Sequence, residues 1–198
     1  MTMDFLNKNY PDIFTILDAK RADIGNTNNG YVSAVFDYFG FDAVTLHPYL
    51  GKEALMPFLE RKDKISIILC KTSNPGAGEF QDLKIEGHRH SGASKPLWQI
   101  VAEKVYKNWN KNKNCMLVVG ATYPKQMKKV RSLVGDMTFL VPGVGVQGGD
   151  LEKVVKFGVN SEGLGLIINS SRGIIFASNP KEKVEKLFDE IKTYRGLS

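Results

Sequence analysis

The sequence predicts an α/β fold of the (β/α)8 TIM-barrel type. Three observations lead there. Six short runs are near-continuously apolar and rich in Ile, Val, Leu and Phe, as parallel strands covered on both faces should be. Amphipathic segments of helical length lie between them, at intervals of roughly 23 to 30 residues with one longer gap, as repeated βα units require. Nearly every run also ends in a polar or glycine-rich stretch, and a closed ring gathers its chemistry at the carboxyl ends of its strands. An open doubly wound sheet would place such groups at one switch point; functional residues at so many strand ends favour the barrel.

The elements follow in order. Strands are expected at Ile13–Asp18, Asp42–His47, Ile65–Cys70, Cys115–Gly120, Thr138–Gly143 and Gly165–Ser170. A helix over Asn28–Phe39 places Tyr31, Val35, Tyr38 and Phe39 on one side, and another over Lys95–Trp109 does the same with Trp98, Val101, Ala102 and Val105. The last helix begins with Asn179 as N-cap, Pro180 at its first position and Glu182 completing a capping box; Val184, Leu187, Phe188 and Ile191 form its apolar stripe. The long gap holds an inserted loop, Asn74–Ser94, dense in Gly, Ser and charge. No linker divides the chain, so residues 1–198 are expected to form a single domain.

Composition narrows the function. The 198 residues are 42% hydrophobic and 24% charged, an ordinary globular balance. No run of eighteen apolar residues offers a membrane span, and Met1–Tyr10, with Asp4 and Lys8, does not read as a signal peptide. Cys70 and Cys115 each sit in an apolar run and are expected to be buried free thiols of a cytoplasmic protein. The net charge of +6 is spread over Lys104, Lys107, Lys111, Lys113, Lys125, Lys128, Lys129 and Lys181 at surface spacing, without the basic stripe and aromatic platforms of a nucleic-acid binder. A solvated face that weakly attracts anionic metabolites is expected. His88 and His90 fall in the inserted loop and His47 ends a strand, none in metal-ligand spacing, so no metal site is expected from them, although aspartates at strand ends leave Mg²⁺ open.

Two stretches carry chemistry. In Asp18-Ala-Lys20-Arg-Ala-Asp23-Ile24-Gly25-Asn26-Thr27, two carboxylates flank a lysine at a strand mouth. Asp18 and Lys20 point the same way while the chain stays extended; Asp23 lies beyond the bend and can serve a different pocket. Charges this close hold Lys20 protonated and positioned as a general acid, although a plain surface salt-bridge cluster would have the same spacing. In Val141-Pro142-Gly-Val-Gly145-Val-Gln147-Gly-Gly149-Asp150 the glycines allow close approach to an anion, and Arg172, one strand later, offers a bidentate phosphate contact; plain turns are the alternative.

Together with Lys71-Thr-Ser73-Asn-Pro-Gly76, these motifs resemble, in order, those of the orotidine 5'-phosphate decarboxylase family, in its long-loop branch, from about residue 12 to 195. The resemblance implies a cofactor-free carboxy-lyase of pyrimidine biosynthesis that converts orotidine 5'-phosphate to UMP. Asp18 would face the C6 carboxylate and Lys20 would deliver a proton to C6. Asp23, with Ile24 and Thr27, would enter the neighbouring active site of a homodimer. Ser73 would hydrogen-bond the pyrimidine, Pro142 would line its pocket, and Gln147 and Arg172 would hold the 5'-phosphate.

The family also carries two βα units before Asp-x-Lys, with a ribose-binding aspartate and a second catalytic lysine. Twelve residues precede Ile13, fewer than the ~30 that a βαβ unit needs, so only barrel strands three to eight are expected here. Two competing expectations follow: a catalytically impaired piece that binds phosphorylated nucleotide, or a sugar-phosphate decarboxylase or synthase of the same superfamily, which uses a similar motif with Mg²⁺.

Overall fold

A computed structural model of the chain describes residues 2–86, 94–145 and 148–196. Its elements are α1 (Thr2–Asn9), β1 (Ile16–Arg21), α2 (Gly25–Val32), β2 (Ala43–Leu46), α3 (Gly51–Leu59), β3 (Ile65–Lys71), α4 (Leu97–Lys104), β4 (Cys115–Val119), α5 (Pro124–Val134), β5 (Phe139–Pro142), α6 (Leu151–Gly158), β6 (Leu166–Asn169) and α7 (Pro180–Tyr194). Each of the six apolar runs holds one strand. The helices α2 and α4 continue into π-helical turns, Ser33–Tyr38 and Val105–Trp109, so both predicted helical stretches are helical to within a residue or two of their ends. Within the inserted loop lie a 3-10 turn, Pro75–Ala77, a short helix, Gly78–Gln81, and a two-residue antiparallel pairing of Lys84–Ile85 with Lys95–Pro96. His88 and His90 lie outside the described residues.

The chain packs as two compact units, Met1–Leu69 with Lys104–Met116, and Cys70–Glu103 with Leu117–Ser198. In the first, β1, β2 and β3 are parallel and in chain order, and the Ser66 amide donates to Asn114 O (2.9 Å) at the approach to β4. In the second, the Gly120 amide donates to Lys71 O (2.7 Å) beside the end of β3, and β4, β5 and β6 again run parallel in chain order. Sheet order that follows chain order without reversal is the topology of consecutive units of a (β/α)8 barrel, whereas a doubly wound sheet changes direction at its first strands. The fold is α/β of the barrel type, with six parallel sheet strands among the described residues.

Burial explains why these runs became strands. In the first unit β2 is buried at every residue, as are Val35 and Phe36 of the π-helical turn and Ala54, Leu55 and Phe58 of α3; Phe36 and Phe58 meet edge to face at 6.2 Å. The buried Asn114 donates to the carbonyls of Leu59 (3.1 Å) and Arg61 (3.0 Å), closing the end of α3. In the second unit Leu117, Val119, Phe139 and Val141 of β4 and β5 and Met127, Val130 and Val154 of α5 and α6 are all buried. Both cysteines are buried and free, and burial pushes each thiol up to about 12.

The expected apolar stripe of α7 departs from this pattern. Asn179 caps the helix as expected, its side chain accepting from the Glu182 amide (3.2 Å), yet Val184 is 46% exposed and Phe188 55%, and no residue of α7 is buried. Strand β6, which precedes it, pairs with β5 on one side among the described residues and is itself only half-buried. The helix therefore has sheet beneath only part of its stripe.

Arg131 closes the second unit. Its guanidinium donates to Gly158 O (2.8 Å), Met137 O (2.7 Å) and Gly165 O (3.3 Å) and lies 3.9 Å from the Phe139 ring centre. It thereby ties together the ends of α5, α6 and the entry to β6. Burial pushes its pKa down to about 10, partly offset by Asp136, so it stays charged at neutral pH.

Two outcomes are expected. Arg131→Leu strands several carbonyls and should lower unfolding stability by about 2–4 kcal/mol, read from the urea midpoint; Arg131→Lys should recover only part, since one ammonium does not span the carbonyls. Asp150 is held below the usual carboxylate range by Lys153 and Asp136 by the Ser161 amide. Depressed carboxyl pKa values stabilise above the usual carboxylate pKa of about 4, and that contribution is lost as pH falls through the depressed values. Thermal midpoints should therefore drop on acidification below that range, and less steeply in Asp150→Asn. Equal acid sensitivity in the two proteins would contradict this.

Candidate active site

In the first unit the candidate residues Asp18 and Lys20 sit where β1 breaks its register. Leu17 pairs with Val44 and Arg21 with Leu46, so Asp18, Ala19 and Lys20 together face the single residue Thr45. The strand thus runs to Arg21, three residues past the predicted end, and Lys20 lies inside it rather than beyond it. The bulge is set by Lys20, whose φ of 49° is left-handed, an unusual state for a lysine that typically costs of order 1 kcal/mol and recurs at functional positions. Plain extension would have aligned Asp18 and Lys20 by alternation; the bulge brings them together instead by folding the backbone back.

Thr45 holds this geometry. Its hydroxyl accepts from the Lys20 amide (2.9 Å) and donates to Asp18 Oδ1 (2.9 Å), while Lys20 Nζ lies 2.7 Å from the same oxygen. Thr45 is fully buried, whereas the two charged side chains are about half exposed. An exposed ion pair contributes little to stability. Its alignment comes from the buried hydroxyl. Sequence reasoning missed Thr45, although a hydroxyl inside an otherwise apolar strand was the available signal.

Asp23 follows the bend. Its side chain accepts from the Ile24 amide (2.7 Å), and its backbone is bracketed by Asn28, which accepts from the Asp23 amide (2.9 Å) and donates to Asp23 O (2.7 Å) and to Ala54 O. Asn28 is fully buried and was likewise not singled out. The ring leaves Ile24 65% exposed and Thr27 exposed beside Asp23.

In the second unit Ser73 follows the end of β3. An added Cβ on Gly120 would lie 2.7 Å from Ser73 Cα, so a glycine is needed there for the two backbones to approach this closely. Thr122 Oγ1 donates to Ser73 O (3.3 Å), and Thr72 is held by Gln81, whose amide oxygen accepts from Thr72 N (3.0 Å). Pro142 ends β5 and leads into the glycine loop, in which Gly143, Gly145 and Gly148 all have positive φ. The amides of Gly148 and Gly149 donate to Gly145 O (2.7 Å) and Gly143 O (3.1 Å), so these two N–H groups close the loop itself. Ser170 lies between the loops, its Oγ 3.0 Å from where a Cβ on Gly173 would sit. Arg172 opens a short helix, Arg172–Ile175, and is exposed. Gln147 lies outside the described residues.

Among the described residues no cluster of three or more His, Cys, Asp or Glu side chains is arranged to hold a metal ion, and no helix is long and apolar enough to cross a membrane.

Known proteins resemble this chain in sequence and in fold. The sequence profile of the "Orotidine 5'-phosphate decarboxylase / HUMPS family" matches residues 2–187. The orotidine 5'-phosphate decarboxylase of Cellvibrio japonicus is 49% identical over 178 residues, covering 90% of this chain and 63% of that protein. That of a Janthinobacterium species is 47% identical over 173 residues, 87% of this chain and 61% of that protein. The chain thus spans less than two thirds of the length of these relatives. Among solved structures, Leishmania donovani OMP decarboxylase superposes with a TM-score of 0.84 at 38% identity, over 92% of this chain and 69% of that one. Leishmania donovani UMP synthase gives 0.87 at 40% identity, over 92% and 40%. Matched along nearly its whole length by the profile, the chain belongs to the orotidine 5'-phosphate decarboxylase / HUMPS family.

Proposed function

We propose that this chain carries the proton-delivering and phosphate-holding parts of an orotidine 5'-phosphate decarboxylase, a cofactor-free carboxy-lyase that forms UMP. The observation that carries it is the Asp18–Lys20 pair, 2.7 Å apart and oriented by the buried Thr45 hydroxyl at a strand mouth. In the reaction the C6–carboxylate bond breaks, CO₂ leaves and its bonding electrons stay on C6. Asp18 facing the departing carboxylate disfavours the ground state, and the Lys20 ammonium favours the carbanion-like transition state before giving C6 its proton. Solvent then reprotonates the amine.

The remaining roles follow the same likeness. Ser73 hydrogen-bonds the pyrimidine and Pro142 lines its pocket. Gln147 and Arg172 hold the 5'-phosphate, supplying binding energy remote from the reacting carbon. Asp23, Ile24 and Thr27 serve the neighbouring subunit of a homodimer; the 65% exposure of Ile24, an apolar residue beside a carboxylate, supports this. The free buried thiols of Cys70 and Cys115 support a cytoplasmic setting.

The family also includes sugar-phosphate members, so the test has two arms. The purified chain should bind UMP or 6-aza-UMP by calorimetry and release CO₂ from orotidine 5'-phosphate with no loss in EDTA. Lys20→Ala should lower kcat/KM by at least about 10³-fold while changing UMP affinity only a few-fold. Absence of UMP binding would refute the assignment. Turnover of a sugar phosphate restored by Mg²⁺ would move the chain to the other branch, and binding without turnover would mark it as a nucleotide-binding piece.

A further inference from the structure

The second unit contains a fully buried charge that the proposed chemistry does not use. Lys71, the last residue of β3, has no exposed side-chain surface, yet its ammonium donates to both oxygens of Asp82 (2.8 and 2.9 Å) and lies 4.4 Å from the centre of the Tyr123 ring. Asp82 is 47% exposed. A methionine would fill the same space without desolvating a charge, so packing alone gives no reason for an ammonium here.

Its two contacts adjoin the groups that hold the neighbours of Ser73. Asp82 follows Gln81, whose amide brackets Thr72 by accepting from its N–H (3.0 Å) and donating to its hydroxyl (2.8 Å). Tyr123 donates its hydroxyl to Asn74 O (3.5 Å), and Thr72 Oγ1 donates to Asn74 Oδ1 (2.6 Å). One buried cation therefore anchors both arms that embrace Thr72-Ser73-Asn74, while Gly120 and Thr122 fix the Ser73 backbone from behind.

We infer that Lys71, clamped between Asp82 and Tyr123, is a positioning residue that sets Ser73 for recognition of the nucleotide base. The inference rests on the proposed contact between Ser73 and the pyrimidine. Loss of the clamp frees the loop carrying Ser73, so base recognition weakens while the grip on phosphate is untouched.

Calorimetry on the full chain with UMP and with ribose 5-phosphate separates the two effects. The unmodified chain should prefer UMP, and Ser73→Ala should remove most of that preference. Asp82→Asn and Lys71→Met should weaken UMP binding about tenfold, the equivalent of one hydrogen bond, and leave ribose 5-phosphate binding within about twofold. Tyr123→Phe, which keeps the ring and removes one hydroxyl, should give a smaller loss in the same direction and serves where the charge variants do not fold. If Ser73→Ala removes the preference while these variants weaken both ligands equally or neither, the clamp is purely structural and the inference fails with the function intact. If the unmodified chain shows no preference, or Ser73→Ala leaves it unchanged, the base contact itself is wrong.

Discussion

A single buried hydroxyl organises the charged centre of this protein. The Asp18–Lys20 pair is half exposed, and an ion pair in that setting has little energy with which to impose its own geometry. Thr45 supplies what the pair lacks. It sits on a fully buried strand, its Oγ1 both accepts from the Lys20 amide and donates to Asp18, and three residues of β1 bulge out to meet it. The left-handed Lys20 is strain that the strand β2 holds in place. An arrangement aligned before substrate arrives requires little reorganisation during the reaction, the condition under which electrostatic stabilisation is strongest.

Buried polar groups support two further candidate loops in the same way. Asn28, fully buried, brackets the backbone of Asp23 and reaches Ala54 O. Lys71, fully buried, ties Asp82 and Tyr123 beside Ser73. In each case a polar group without access to water has its hydrogen bonds satisfied by the loop it supports. Leaving such a group unpaired costs far more than a surface contact would, and the loop is held correspondingly firmly. Among the described residues the other buried polar side chains are Ser66 on β3 and Asn114, which closes the end of α3; the rest of the interior is apolar.

Much of the fold was legible in the order of residues. Each of the six apolar runs holds a strand, four of them wholly within the run, the capping residues Asn179 and Pro180 start the last helix, and the two amphipathic stretches became helices, because alternation and helical periodicity are local properties of a chain facing one core. The candidate site was legible as residue types: Asp18, Lys20, Asp23, Ser73, Pro142 and Arg172 are found at or near the carboxyl ends of strands or in the loops that follow them, as the motifs suggested.

Partners were not legible. That Thr45 rather than strand extension aligns Asp18 with Lys20, that Lys71 meets a carboxylate eleven residues on, and that the Gly148 and Gly149 amides close their own loop depend on which segments come to lie side by side. The exposure of Val184 and Phe188 has the same origin: the helical period names the apolar face, but the neighbouring elements decide how much of it is covered. Periodicity and capping act over a few residues and can be read along the chain; hydrogen-bond partners and burial depend on how the backbone turns and which segments it brings together, and exist only in the folded chain.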